Sequence, residues 1–242
     1  MNPSFVRLLA LLVFISLASG CSTRVSNFIE LAAEAFDKPT DVVFDQQQIE
    51  NLRYAAVYLK TESTPQVVAV LTRISGGELI PQRNWSTGGR EVITTQHGRI
   101  VSAAGIDSFP RYLSNTHRDP LLCLVDQHRA QQALQECDTS WLWQFEFAGH
   151  GTHEARRIAM RSDFFIESYN QSYIHPDGTP LEATVIREVV TVENADELDI
   201  ESYENSYWLS NGRIVKAHQW VSPELGYATV TEMKPFSGDL LP

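Results

Sequence analysis

The segment His150-Gly151-Thr152-His153-Glu154 puts two imidazoles and a carboxylate close together, the donor types that zinc sites use. Their order differs from the helical His-Glu-x-x-His arrangement, and glycines flank the first histidine, so a polar turn accounts for them. His117-Arg118-Asp119 sets a base, a cation and a carboxylate side by side, a mixture used in acid–base catalysis. Adjacent residues on one loop do not converge on a substrate, and a solvated turn explains this run as well. No Gly-x-Ser-x-Gly elbow, Ser-x-x-Lys, P-loop or dinucleotide fingerprint occurs. The chain therefore reads as a non-enzyme with no metal and no cofactor. The alternative from another class is a glycan-modifying enzyme gathering His117, Asp119, His150, His153 and Glu154 into one cleft, since paired carboxylates need not be near in sequence.

Aromatic and cationic residues offer a second chemistry. Trp85, Trp141, Trp143, Trp208 and Trp220 could each stack on a flat sugar face. Tryptophan on strands mostly fills cores. Trp85, beside Ser86-Thr87-Gly88-Gly89, is the least obviously buried. Arg99 and Arg213 follow glycine turns directly and suit surface ion pairs, which contribute little energy. These three, Trp85, Arg99 and Arg213, are the possible glycan or partner contacts.

The N-terminus carries a third chemistry, lipid attachment. Arg7 precedes an apolar run from Leu8 to Leu17, and Leu17-Ala18-Ser19-Gly20-Cys21 follows. The run is too short to span a bilayer and reads as a signal peptide over 1–20. Small residues before a cysteine resemble a bacterial lipobox, making Cys21 the site of lipidation. A single acyl chain holds a protein marginally, and two or more hold it stably. Ser22, in place of an aspartate, points to the outer membrane, with the folded part on the periplasmic side. An ordinary secreted protein is the alternative.

Cys123 and Cys137 then lie in an oxidising space, where a disulfide is the default. Free buried thiols or metal ligation are the alternatives, although neither cysteine belongs to a Cys-x-x-Cys pair.

Stepping outward from these residues, the chain is mostly strand. A tether with a short helix over 21–40 leads into a single β-rich domain over 41–242. Tyr54–Leu59, Val67–Leu71, Glu78–Trp85, Glu91–Thr95 and Arg99–Ala103 are β-type runs split by glycine or proline turns, a meander of about six strands. Asn115–Pro120 is polar and breaks the sheet, and Ala130–Cys137 forms a strand or short helix. Trp141–Phe147 alternates apolar and polar, the signature of a half-buried strand. Five further runs reach Lys234, with hairpin turns at Asp177-Gly178 and Asn211-Gly212. The fold class expected is mainly β, an antiparallel meander forming an incomplete barrel or two-sheet sandwich. The Gly-Arg-Ile-Val run at 98–101 recurs at 212–215. Two hairpins reusing one turn chemistry explain it better than duplication does.

Of the 242 residues, 43% are hydrophobic and 20% charged, which fits a globular chain rather than disorder. The net charge of -11 argues against nucleic acid as a partner, because phosphate binding needs basic patches.

Several stretches together resemble the YjbF/GfcB lipoproteins of exopolysaccharide and group 4 capsule loci. They are the lipobox at Cys21, Trp85-Ser86-Thr87-Gly88-Gly89 through Ile93-Thr94-Thr95, and Gly98-Arg99-Ile100-Val101 with Gly105-Ile106. Asn205-Ser206-Tyr207-Trp208, Gly212-Arg213-Ile214-Val215, Gln219, Pro223 and Lys234-Pro235 continue the match. Members commonly carry Thr-Gly-Leu where this chain has alanine followed by Gly105-Ile106, a mild departure. The resemblance implies a β-rich lipoprotein that assists production or export of exopolysaccharide or capsule, with no catalytic residue to transfer. Its partners would be the membrane, through acyl chains on Cys21, and export proteins or the polysaccharide. A structural envelope-assembly lipoprotein is the remaining alternative.

Overall fold

The computed structural model describes residues 40–77, 80–106, 108–109, 111–148, 155–193 and 200–240. The expected signal peptide, Cys21, the helix before Pro39, and His150, His153 and Glu154 lie outside the described residues.

A short helix α1 (Gln46–Glu50) is capped by Asp45, whose carboxylate accepts from the Gln48 backbone N–H while Gln48 reaches back to Asp45. The first strands follow as β1 (Ala56–Thr61), β2 (Val67–Ser75), β3 (Gln82–Ser86), β4 (Val92–Gln96), β5 (Arg99–Ala104) and β6 (Tyr112–Leu113). After them comes helix α2 (Pro120–Arg129). The second set is β7 (Ser140–Ala148), β8 (Ala155–Ile174), β9 (Pro180–Val192), β10 (Ser202–Ser210), β11 (Arg213–Ser222) and β12 (Gly226–Lys234).

All pair antiparallel in one 12-stranded sheet ordered β5-β4-β3-β2-β1-β12-β11-β10-β9-β8-β7-β6. The sheet curls into a nearly closed barrel. β-Bulges in β2, β5, β8, β11 and β12 permit the bending. The edges β5 and β6 approach without laddering. Gln219 of β11, in the middle of the sheet, reaches across the interior to the β5 edge. Its carbonyl accepts from the Ile100 N–H at 3.1 Å and its amide donates to the Gly98 carbonyl at 2.8 Å.

Alternation decides what each strand buries. Along β7, Trp141, Trp143 and Phe145 point inward, while Leu142 and Gln144 face solvent. The two larger clusters fill the interior, one around Trp141, Trp143, Phe145, Tyr203 and Trp220, the other around Trp85, Ile93, Ile100 and Phe109. β1 is buried on both faces. Val57 and Leu59 join the interior, and Ala56 and Tyr58 pack under Ile49 of α1 on the outside.

The segment Asn115–Pro120 breaks the sheet between β6 and β7, as expected, and a helix absent from the sequence reading starts at its end. Asp119 caps α2 through the Leu121 N–H at 3.0 Å, and Pro120 occupies its first turn. Leu121, Leu124 and Val125 of α2 enter the tryptophan cluster. A disulfide joins Cys123 of α2 to Cys137, with Cα atoms 5.7 Å apart. It fixes the helix to the chain that leads into β7.

Candidate functional site

Strands of alternating direction collect their turns at two mouths of the barrel. At one mouth stand two hairpins with the same backbone. His97 and Gly98 have φ of 47° and 80°, and Asn211 and Gly212 have φ of 49° and 70°. Positive φ at both central residues is the type I′ pattern that matches strand twist. The two Gly-Arg-Ile-Val runs touch here, for a Cβ on Gly98 would lie 2.5 Å from Ile214 Cγ2. The C-terminal end of α2 is tied to the same place. His128 Nδ1 accepts from the Gly212 N–H at 3.1 Å, and Arg129 donates to the Gly212 carbonyl at 3.3 Å.

Between these turns lies a cavity of about 110 Å³, lined among others by Arg83, Trp85, His97, Arg129, Arg213, Glu232, Phe236 and Asp239. The Arg213 Nε donates to both Glu232 oxygens, at 2.8 and 3.2 Å. Arg83 pairs with Asp239. The Trp85 indole N–H donates to Thr95 Oγ1 at 2.8 Å, which fixes the ring against the cavity. Burial, reinforced by the Arg83 and Arg129 charges, lowers the His97 pKa to about 4, so its imidazole is neutral near neutral pH. His175, at the β8–β9 turn, lies with Nδ1 2.9 Å from Asp177 and Nε2 3.7 Å from Glu232. Burial opposes its protonation, but Glu232 and Asp177 together raise its pKa.

The mouth thus gathers an indole, a neutral imidazole and the Arg129 guanidinium, with Arg83 and Arg213 held in ion pairs with Asp239 and Glu232.

Two of the three expected contact residues, Trp85 and Arg213, come together here. Trp85 is more buried than expected, at 6% exposure. Arg99 is a correction: it is 2% exposed and reaches no surface ligand. It turns inward over Trp141, with Cζ 4.8 Å from the ring centroid. Its Nε bonds Asp119 Oδ2 at 2.5 Å, its Nη2 bonds Asp119 Oδ1 at 3.3 Å, and its Nη1 bonds Glu188 Oε2 at 3.0 Å. Asn205 and the Tyr207 hydroxyl also donate to Glu188 Oε2, at 2.9 and 2.8 Å. Burial pushes the Glu188 carboxyl up, but Arg99 and these donors outweigh it and hold its pKa below the ordinary value.

Glu188 carried no local motif. Its signal was phase: it alternates with Ile186 and Val190, which are buried on the same face, so a charged residue there needed a buried partner. Of the residues grouped for a hydrolytic cleft, His117 is exposed while Asp119 is buried and held by Arg99. Trp141, Trp143 and Trp220 fill the core. Trp208 lies on the outer face beneath Lys216, whose Nζ is 4.5 Å from the ring centroid. Among the described residues, no group of three or more His, Cys, Asp or Glu is placed to hold a metal.

The solved structure of a hypothetical lipoprotein, YmcC, from Escherichia coli K12 has the same fold, with a TM-score of 0.66 at 18% identity over 85% of this chain and 94% of that one. The uncharacterized lipoprotein YjbF of Escherichia coli (strain K12) is 24% identical over 218 residues, 89% of this chain and 92% of the relative. The uncharacterized lipoprotein GfcB of the same strain is 22% identical over 233 residues, 95% of this chain and 99% of the relative. The family model for YjbF, described as group 4 capsule polysaccharide lipoprotein, matches residues 29–233, which span all of the barrel but the last residue of β12. The chain belongs to the YjbF family of capsule polysaccharide lipoproteins.

Proposed function

We propose that this protein is a non-enzymatic, lipid-anchored factor on the periplasmic side of the outer membrane that assists production and export of an exopolysaccharide or capsule. Its family membership carries the reading: the match spans all but the last residue of the barrel, and the family is described by its capsule polysaccharide. The charged mouth, whose lining includes Trp85 and Arg213, is where it meets the glycan or an export protein. The non-catalytic reading is supported by how the ionisable groups are spent. Asp119 and Glu188 neutralise Arg99, Glu232 pairs with Arg213, and Asp239 pairs with Arg83. A general acid or base needs a proton free to move to a substrate.

Deletion of the gene, with surface polysaccharide quantified against complemented cells, tests the role. Loss of polysaccharide restored by the wild-type chain, and poorly by Arg213→Ala at equal abundance, is the expected result. Unchanged polysaccharide in the deletion contradicts it.

A further inference from the structure

The opposite mouth has a different character. A cavity of about 360 Å³ opens there, with Leu59, Val67, Ile106, Phe109 and Leu225 forming its wall. Its hydroxyl groups are turned to one another. Thr61 Oγ1 lies 2.8 Å from Thr64 Oγ1 and accepts from the Thr64 N–H at 2.9 Å. Thr87 bonds the Glu91 carboxylate. Thr61 and Thr64 thus satisfy each other, Thr87 takes one Glu91 oxygen, and most of the remaining lining is apolar. Such a space favours an alkyl occupant over water, which needs two to four polar partners.

The route of the chain says what the occupant is. The domain begins at this same mouth: Asp41 Oδ1 accepts from the Gln66 N–H at 2.8 Å and the Val42 N–H donates to the Gln66 carbonyl at 3.0 Å. Gln66 sits between Pro65 and Val67, both of which line the cavity. The tether to Cys21 therefore leaves the barrel beside the apolar opening. It has about twenty residues and reaches at most about 70 Å when extended, so its length does not keep the lipid from the opening. A group tethered in this way is presented to the opening at an effective concentration of roughly millimolar.

We propose that the apolar mouth holds one acyl chain of the lipid carried on Cys21. This rests on the lipoprotein reading and adds a place for the lipid within the fold. One acyl chain leaves the bilayer for the barrel, the remaining chains stay in the membrane, and the mouth that meets the membrane is fixed. The charged mouth then faces away from the lipid surface.

The test labels the whole protein in its own cells with a palmitate analogue bearing a diazirine near the end of the alkyl chain. Membranes are irradiated and cross-linked peptides are mapped. The expected product joins the Cys21 peptide to peptides containing Leu59, Val67, Ile106 or Leu225 of the same polypeptide. The double variant Ile106→Asp, Leu225→Asp should lower that product at least fivefold while keeping the Cys123–Cys137 disulfide. Label on Cys21 that cross-links only to phospholipid or to other proteins overturns the cavity proposal and leaves the lipoprotein reading standing. A Cys21→Ser chain cross-linked at the same lining residues by labelled phospholipid makes the occupant a bilayer lipid and also overturns it. Label absent from the protein overturns both.

Discussion

Arg99 and Asp119 are joined by a two-point ion pair, Nε to Oδ2 at 2.5 Å and Nη2 to Oδ1 at 3.3 Å, inside the seam where the sheet fails to close by hydrogen bonds. Asp119 also caps α2, and Arg99 reaches across to Glu188 on β9. One guanidinium thus holds an edge strand, a helix start and the far wall. A buried pair of this sort adds little over a well-packed apolar replacement, but breaking it leaves a charge unpaired.

Arg99→Met should therefore destabilise the fold by about 3–5 kcal/mol, because both carboxylates stay buried. Urea denaturation followed by tryptophan fluorescence measures this. The triple variant Arg99→Met, Asp119→Asn, Glu188→Gln should recover part of the loss, since no charge is left without a partner. A single variant as stable as wild type would show that the seam does not depend on this network.

Gly98→Ala should cost about 2–4 kcal/mol, combining a φ of 80° with a Cβ driven to 2.5 Å from Ile214 Cγ2. Ile214→Ala in the same chain should return about 1 kcal/mol by making room. A double-mutant cycle on urea midpoints reads the coupling. Strict additivity would mean that the two Gly-Arg-Ile-Val runs do not bear on each other.

His97 and His175, both at the charged mouth, should give opposite pH slopes. His97 is held down to about 4, so its contribution is complete above the unfolded value and is lost as pH falls toward 4. The change is roughly 2–3 kcal/mol at most, given one unit as about 1.4 kcal/mol and some solvent access. His175 is raised, so its contribution is present below the unfolded value and disappears as pH climbs through the folded one. His97→Asn, which tolerates positive φ, should flatten the acidic limb of stability against pH, and His175→Asn the limb above the ordinary imidazole value. Variants with unchanged limbs would show that these rings do not titrate as assigned.

Reduction of the Cys123–Cys137 bond frees the chain that links α2 to β7. The paired variant Cys123→Ser, Cys137→Ser should lose about 3 kcal/mol, the chain-entropy value for a loop of this size. Thermal unfolding with and without reductant provides the comparison. Equal stability in both states would indicate that packing alone places α2.

Much of this fold could be read from residue order. Period two along Trp141–Phe147 and the Asn211-Gly212 turn locate strands and hairpins to within a few residues, because these strands have one wet face. α2 was missed although Asp119-Pro120 is a helix-start signal, since the polar run before it resembled a loop. Arg99 was misplaced for a related reason. A residue next to a glycine turn is normally at the surface, but this turn packs against Ile214 and the strand edge behind it is covered by β11. Trp85 and Arg213 lie far apart in the chain and meet only because β3 and β11 line one interior. That closeness is a property of the closed sheet, which no local pattern records.

The measurement nearest the root of the account is intact mass spectrometry of the protein extracted from cell envelopes with mild detergent. A mature chain beginning at Cys21 and heavier by a diacylglyceryl group, with or without a third acyl chain, is the predicted result. A chain that retains residues 1–20, or one that starts at Cys21 without added lipid, would contradict it.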